Sequence, residues 1–101
     1  MQYRIREEGA TVLVSLDGQL NFAANEDFQS LLIKLTSSKN RQVVFDMSGL
    51  SHIDSVGLGL LYIAREDLTD AGSTICLAHP RETVFRMLEL TEAQKTFEIR
   101  R

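Results

Sequence analysis

The chain has 101 residues, 44% of them hydrophobic and 25% charged, with a formal net charge of −3 and a pI near 5.3. That length holds one domain with a single core, and the composition is that of an ordinary globular protein, which argues against disorder and fibre. The mild acidity excludes the basic footprint that nucleic acid or anionic lipid demands, and the closing "EIRR" is too short to supply one.

"MQYRIREEG" alternates Tyr3 and Ile5 with polar residues and reads as an edge strand. After Gly9, "TVLVSLDG" puts Val12, Val14 and Leu16 on one face and Leu13 on the other, so the two runs make a hairpin. From Ala23 the period changes: Phe28, Leu31, Leu32 and Leu35 recur at helical spacing until "TSSKN". "RQVVFDM" predicts a strand buried on both faces, as a parallel neighbour requires. A helix opens near Ser55 and stops at "DAG", where Gly72 is a natural terminator. "STICLA" is the next strand. "PRETVFRMLELT" has Pro80 near a first helical position and turns Val84, Met87 and Leu88 inward. "KTFEI" closes the chain as a short strand.

The order ββαβαβαβ defines an α/β fold: one domain over residues 1–101, with an N-terminal hairpin, a mixed, mostly parallel sheet and helices packed on it. Functional loops gather at the carboxyl ends of such strands. Here these are "DGQLNFAAN", "DMSGLSHIDSVG" and "AHPRE". "MQYRIREEGA" carries charges where a signal peptide needs an apolar run, and no segment approaches the roughly 20 apolar residues that cross a bilayer. The expectation is a cytoplasmic protein without a membrane partner. Cys76, the single cysteine, rules out an internal disulfide, has no zinc-site neighbours, and reads as a buried strand residue. No metal or cofactor is expected.

The most informative stretch is "HIDSVGLGLL". Asp54 and Ser55 stand at a helix start, where either can cap the first amides. Gly57 and Gly59 follow inside the helix, where each costs roughly 1 kcal/mol relative to alanine. Two glycines in the first turns suggest that another body approaches this backbone. On the wheel, Gly57, Leu60, Leu61, Ala64, Leu68 and Ala71 face the sheet, while Tyr62 and Ile63, with Leu58 beside them, form a smaller outer apolar patch. That patch is either a partner surface or half-covered by a neighbouring loop. A hydroxyl at a helix N-terminus also suits phosphorylation, which would add roughly two negative charges beside Asp54 and the apolar patch. Such a change is a physical means of turning a protein interface off.

"VVFDMSGLSHIDSVGLGLL" resembles the central segment of the STAS family, specifically its stand-alone bacterial anti-sigma factor antagonists, whose hallmark is D-S-[ST]-G-L-G opening a helix. The likeness extends to the opening hairpin, to the turn Gly18–Asn21 and to the "HP…V…ML…T" helix. It implies a partner-switching protein that binds a serine kinase/anti-sigma factor of the histidine-kinase-like ATPase type. The kinase phosphorylates the serine after the motif aspartate, and a PP2C-type phosphatase reverses this. Carried over, Ser55 is the phosphoacceptor. Asp54 orients the turn, Gly57 and Gly59 admit the partner, and Val56, Leu58, Tyr62 and Ile63 adjoin it, with Asn21 and Phe22 at the rim. Val56 replaces the motif's second Ser or Thr, leaving Ser55 the only acceptor in the turn, and Asn21 replaces a frequent Asp.

Three other readings compete. A hydrolase would need an oriented base for Ser55, but there is no G-x-S-x-G elbow, and His52 and His79 have nothing to orient them. A receiver domain would use Asp46, yet its acidic pair and lysine are missing, so Asp46 is expected to hold the following loop amides. The third keeps the fold and makes the chain an unphosphorylated docking subunit, for example of a lipid-transport ABC system, or a regulator of a target other than a sigma factor; a transporter appendage is not expected, for lack of a transporter segment.

Overall fold

Alternation of strands and helices is realised in the computed structural model, which describes all of residues 1–101. The strands are β1 (Gln2–Glu8), β2 (Thr11–Leu20), β3 (Gln42–Ile53), β4 (Thr74–Ala78) and β5 (Glu98–Arg100). The helices are α1 (Asn25–Thr36), α2 (Ser55–Asp70) and α3 (Glu82–Leu90), and short 3-10 turns cover Phe22–Ala24 and Ala93–Lys95. The sheet runs β1-β2-β3-β4-β5, with β1 antiparallel to β2 and the other pairs parallel. This is the expected ββαβαβαβ order.

Strand alternation divides the sheet into two unlike faces. Val12, Val14, Leu16, Val43, Phe45, Met47 and Leu77 join side chains of all three helices in one core, in which Phe28 stacks on Phe45 at 6.1 Å between ring centroids. The opposite face carries Val44, Cys76 and Ala78, with Leu13 packed against them and no helical residue. The two-sided burial expected for β3 is therefore met differently on each side: helices cover one face, and neighbouring strands shield the other. Cys76 lies there at 1% exposure, and burial pushes its thiol pKa up. Native protein at neutral pH should accordingly resist a thiol-reactive disulfide reagent that labels urea-unfolded protein at once; fast labelling without urea would show that this face opens.

Two boundaries differ from expectation. Instead of ending at Met47, β3 continues through "SGLSHI", paired to "DGQL" of β2, so the second supposed loop is largely strand and the first is strand as far as Leu20. Apolar residues spaced three apart (Met47, Leu50, Ile53) carry β3 onward, and the pairing shifts register twice, between Ser15 and Asp17 and between Gly18 and Gln19. Such bulges absorb the extra residues and bend the strand. Pro80 lies just outside α3, which starts at Glu82 with Arg81 at the cap position. Gly72 sits where expected: at φ +76 it ends α2, with Gly72 N–H donating to Thr69 O and Ser73 N–H to Leu68 O.

Candidate functional site

Because β2 and β3 extend beyond β4, α2 starts at their projecting end. Their pairing ends at Leu20 and Ile53, and Asp54 N–H donates to Leu20 O at 3.4 Å. Asp54 is extended, and its Oδ1 accepts from Gly57 N–H at 2.9 Å, so Asp54 rather than Ser55 caps α2. Ser55 is then the first helical residue, exposed, with no hydrogen bond within the chain to its hydroxyl. The amides of Ser55 and Val56 also have no internal acceptor. A phosphoryl group on Ser55 would thus meet free amides at the positive end of a sixteen-residue helix. Removing the cap with Asp54→Ala should cost about 1 kcal/mol in urea denaturation, and Asp54→Asn much less, since asparagine caps nearly as well.

Gly57 is buried, and its reason is internal. A Cβ there would lie 2.7 Å from the Leu20 carbonyl carbon and closer still to its oxygen. The expectation that Gly57 admits a partner is corrected: it lets α2 rest on the end of β2. Leu58 is corrected likewise. At 8% exposure it belongs to the core and offers no contact surface, because it lies on the flank of α2 that turns inward. Gly59 differs from both, since nothing lies within 4 Å of a Cβ built on it. Internal packing therefore does not explain a glycine at this position.

Val56 is 43% exposed, Ile63 51% and Tyr62 37%, the last leaning on Phe97 at 5.1 Å between centroids. Across from them the Phe22–Ala24 turn touches α2 and presents Phe22 at 76% exposure. Asn21, half-buried, holds that turn: its Oδ1 accepts from Ala23 N–H at 3.0 Å, and its Nδ2 donates to Gln19 Oε1 at 3.1 Å. The site is thus an exposed hydroxyl at a helix start next to Val56, with Tyr62 and Ile63 about two turns further along α2 and Phe22 on the adjoining turn. Ile33 of α1, 73% exposed, escaped the sequence reading; the available signal was a lone aliphatic on the polar side of the α1 wheel.

The three expected loop segments do converge. Arg81 Nε donates to Ser48 O at 2.6 Å, Thr83 Oγ1 to Ser51 O at 3.5 Å, and Ser51 Oγ to Gly18 O at 3.2 Å. His52 and His79 stand exposed on separate segments, and no hydrogen bond joins either to Ser55. Asp46 accepts from Ser48 N–H at 3.0 Å, the structural role expected of it. A polar depression of about 360 Å³, lined by Arg4, Ser15, Asp17, Asp46 and Ser48 among others, lies apart from the Ser55 turn. No helix is long and apolar enough to cross a membrane.

The family model described as the STAS domain matches residues 2–101. A STAS-domain containing protein of Pseudomonas aeruginosa is 25% identical over 92 residues, covering 91% of this chain and 90% of the relative. Among solved structures, TM1081 of Thermotoga maritima, a candidate anti-sigma factor antagonist, superposes with a TM-score of 0.86 at 22% identity, over 98% of this chain and 86% of that one. The anti-sigma factor antagonist SpoIIAA in its unphosphorylated form gives 0.72 at 20% identity, over 97% and 87%. SpoIIAA has also been solved in its phosphorylated form.

Proposed function

The chain belongs to the STAS domain family, and from that premise we propose that it is an anti-sigma factor antagonist working by partner switching. Unphosphorylated, it binds a serine kinase/anti-sigma factor of the histidine-kinase-like ATPase type in the cytoplasm and sequesters it. Phosphorylation of Ser55 by that kinase ends the complex, and a PP2C-type phosphatase restores it. The chain performs no catalysis itself.

One observation carries this reading: Asp54 takes the capping role and leaves Ser55 as a free hydroxyl at a helix start. A serine that capped its own helix would have its oxygen engaged and turned inward. Here the neighbour does that work, and the hydroxyl stands next to exposed Val56, with exposed Ile63 about two turns further along α2 and exposed Phe22 on the turn that touches that helix. The apolar side chains supply contact area in the unmodified state. A dianion placed among them would have to be desolvated on binding, which opposes the complex. That the anti-sigma factor antagonist SpoIIAA is known in both phosphorylation states supports the reading by likeness of fold.

The test is intact-mass measurement of protein purified from its native cells, with and without phosphatase, followed by peptide mapping of Asp54–Gly59. A phosphatase-sensitive gain of one phosphoryl group on Ser55 is expected. A Ser55 never modified in growth or stress would remove the switch, and co-purification with an ABC-type ATPase would replace it with constitutive docking.

A further inference from the structure

Beyond the turn, α1 and α2 enclose a groove of about 180 Å³ lined by Gln29, Leu32, Ile33, Thr36, Ile63 and Asp67. Its rims carry two aliphatic side chains more than half exposed, Ile33 on α1 and Ile63 on α2. The charge around it is one-sided. Glu66, Asp67 and Asp70 are exposed on α2 and Glu26 on α1, and none of the chain's ion pairs involves any of them. The cations of the two helices are elsewhere. Lys34 donates to the Tyr3 hydroxyl at 2.9 Å and stands 5.2 Å from the centre of that ring. Arg65, two residues after Ile63, is rotated about 200° from it and so lies on the other flank of α2.

A groove with aliphatic side chains on both rims, acidic groups beside them and no cation in its lining selects its occupant by charge. A second copy would set the same acidic rim against itself, and nucleic acid or an anionic membrane would be repelled. The complement is a segment with aliphatic side chains on one face and lysine or arginine beside them, and a groove between two helices accommodates a helix. We propose that the α1–α2 groove is a second docking surface, receiving a basic amphipathic helix of the same partner that meets the Ser55 turn. This rests on the partner-switching reading of that turn. Ile63 lies on the same helix as Ser55, about two turns on, so one partner can span groove and turn.

The experiment is an amide-shift NMR titration of the ¹⁵N-labelled full chain. The probe is a synthetic helical peptide with leucine at i, i+3, i+4 and i+7 and lysine elsewhere, and a second peptide has glutamate in place of each lysine. With the lysine peptide, shifts should centre on Gln29, Ile33, Ile63 and Asp67. They should vanish in Ile33→Asp, weaken about tenfold in the double variant Glu66→Lys, Asp67→Lys, and persist in Ser55→Asp. Because these side chains are exposed, the variants keep the fold, which the undisturbed amides of the sheet will report. Equal binding of the glutamate peptide, shifts confined to acidic residues with the isoleucines unmoved, or self-association through Ile33 would each overturn the proposal. Loss of peptide binding in Ser55→Asp would overturn it too, by making groove and turn one surface. If the groove binds as stated while Ser55 is never phosphorylated in cells, the groove stands and the switch alone fails.

Discussion

Gly57→Ala should lower stability by about 3 kcal/mol, whereas Gly59→Ala, two residues on in the same helix, should raise it by roughly 0.5–1 kcal/mol. The contrast follows from what a Cβ would meet at each site. At position 57 it would be driven into the main-chain carbonyl of Leu20, which cannot rotate away as a side chain end could. Leu20 is fully buried and ends the β2–β3 pairing, so relief means moving α2 off the strand or breaking that pairing. At position 59 the methyl group enters open space, and only the helix-forming advantage of alanine remains. For a domain of this size the first change should lower Tm by roughly 12–24 °C, on about 4–8 °C per kcal/mol. Urea denaturation followed by circular dichroism measures both. If the two variants move together, the close approach of Gly57 to Leu20 is not a constraint on folding.

These two glycines also show where sequence stops being informative. "GLG" reads the same at both positions, and helix propensity penalises them equally. What separates them is the end of β2, a segment more than thirty residues earlier in the chain. Periodicity could place Leu60, Leu61, Ala64 and Leu68 on the buried stripe, and all four are buried, because that stripe needs only the helix's own geometry. Leu58 lies off that stripe, and its flank is covered by tertiary packing that no local pattern specifies. The extension of β3 was hidden for a related reason. Ser48, Gly49, Ser51 and His52 are turn-like in composition, yet the bulges against β2 let them continue a strand. Gly49 makes this possible, since a Cβ there would lie 2.7 Å from Leu16 O. Ser55 itself was legible as a helix start with a hydroxyl. Which of Asp54 and Ser55 caps was decided by backbone geometry: Asp54 takes the extended conformation a cap requires, tied to Leu20 by its own amide.

Ser55→Asp should weaken binding to the cognate kinase/anti-sigma factor about 100-fold, or roughly 2.7 kcal/mol, and Ser55→Ala should leave it within about threefold. The magnitude comes from desolvation: a carboxylate at position 55 would have to leave water when Val56, Ile63 and Phe22 close against a partner. Fold stability gives the control that makes the experiment decisive. An acid in the first turn is favoured by the helix dipole by about 0.3–1 kcal/mol and opposed by adjacent Asp54, so the unfolding free energy should shift by no more than roughly 0.5 kcal/mol. Reduced binding at unchanged stability therefore acts at the interface, unlike Gly57→Ala, which would reduce binding by unfolding the chain. Phosphoserine carries about twice the charge of aspartate, so protein phosphorylated by the kinase should bind more weakly still. Calorimetric titration of the purified kinase with the four forms orders them: unmodified and alanine together, then aspartate, then phosphoserine. If aspartate and alanine bind equally well, Ser55 is a spectator at the start of α2, and the apolar frame around it binds its partner without a switch.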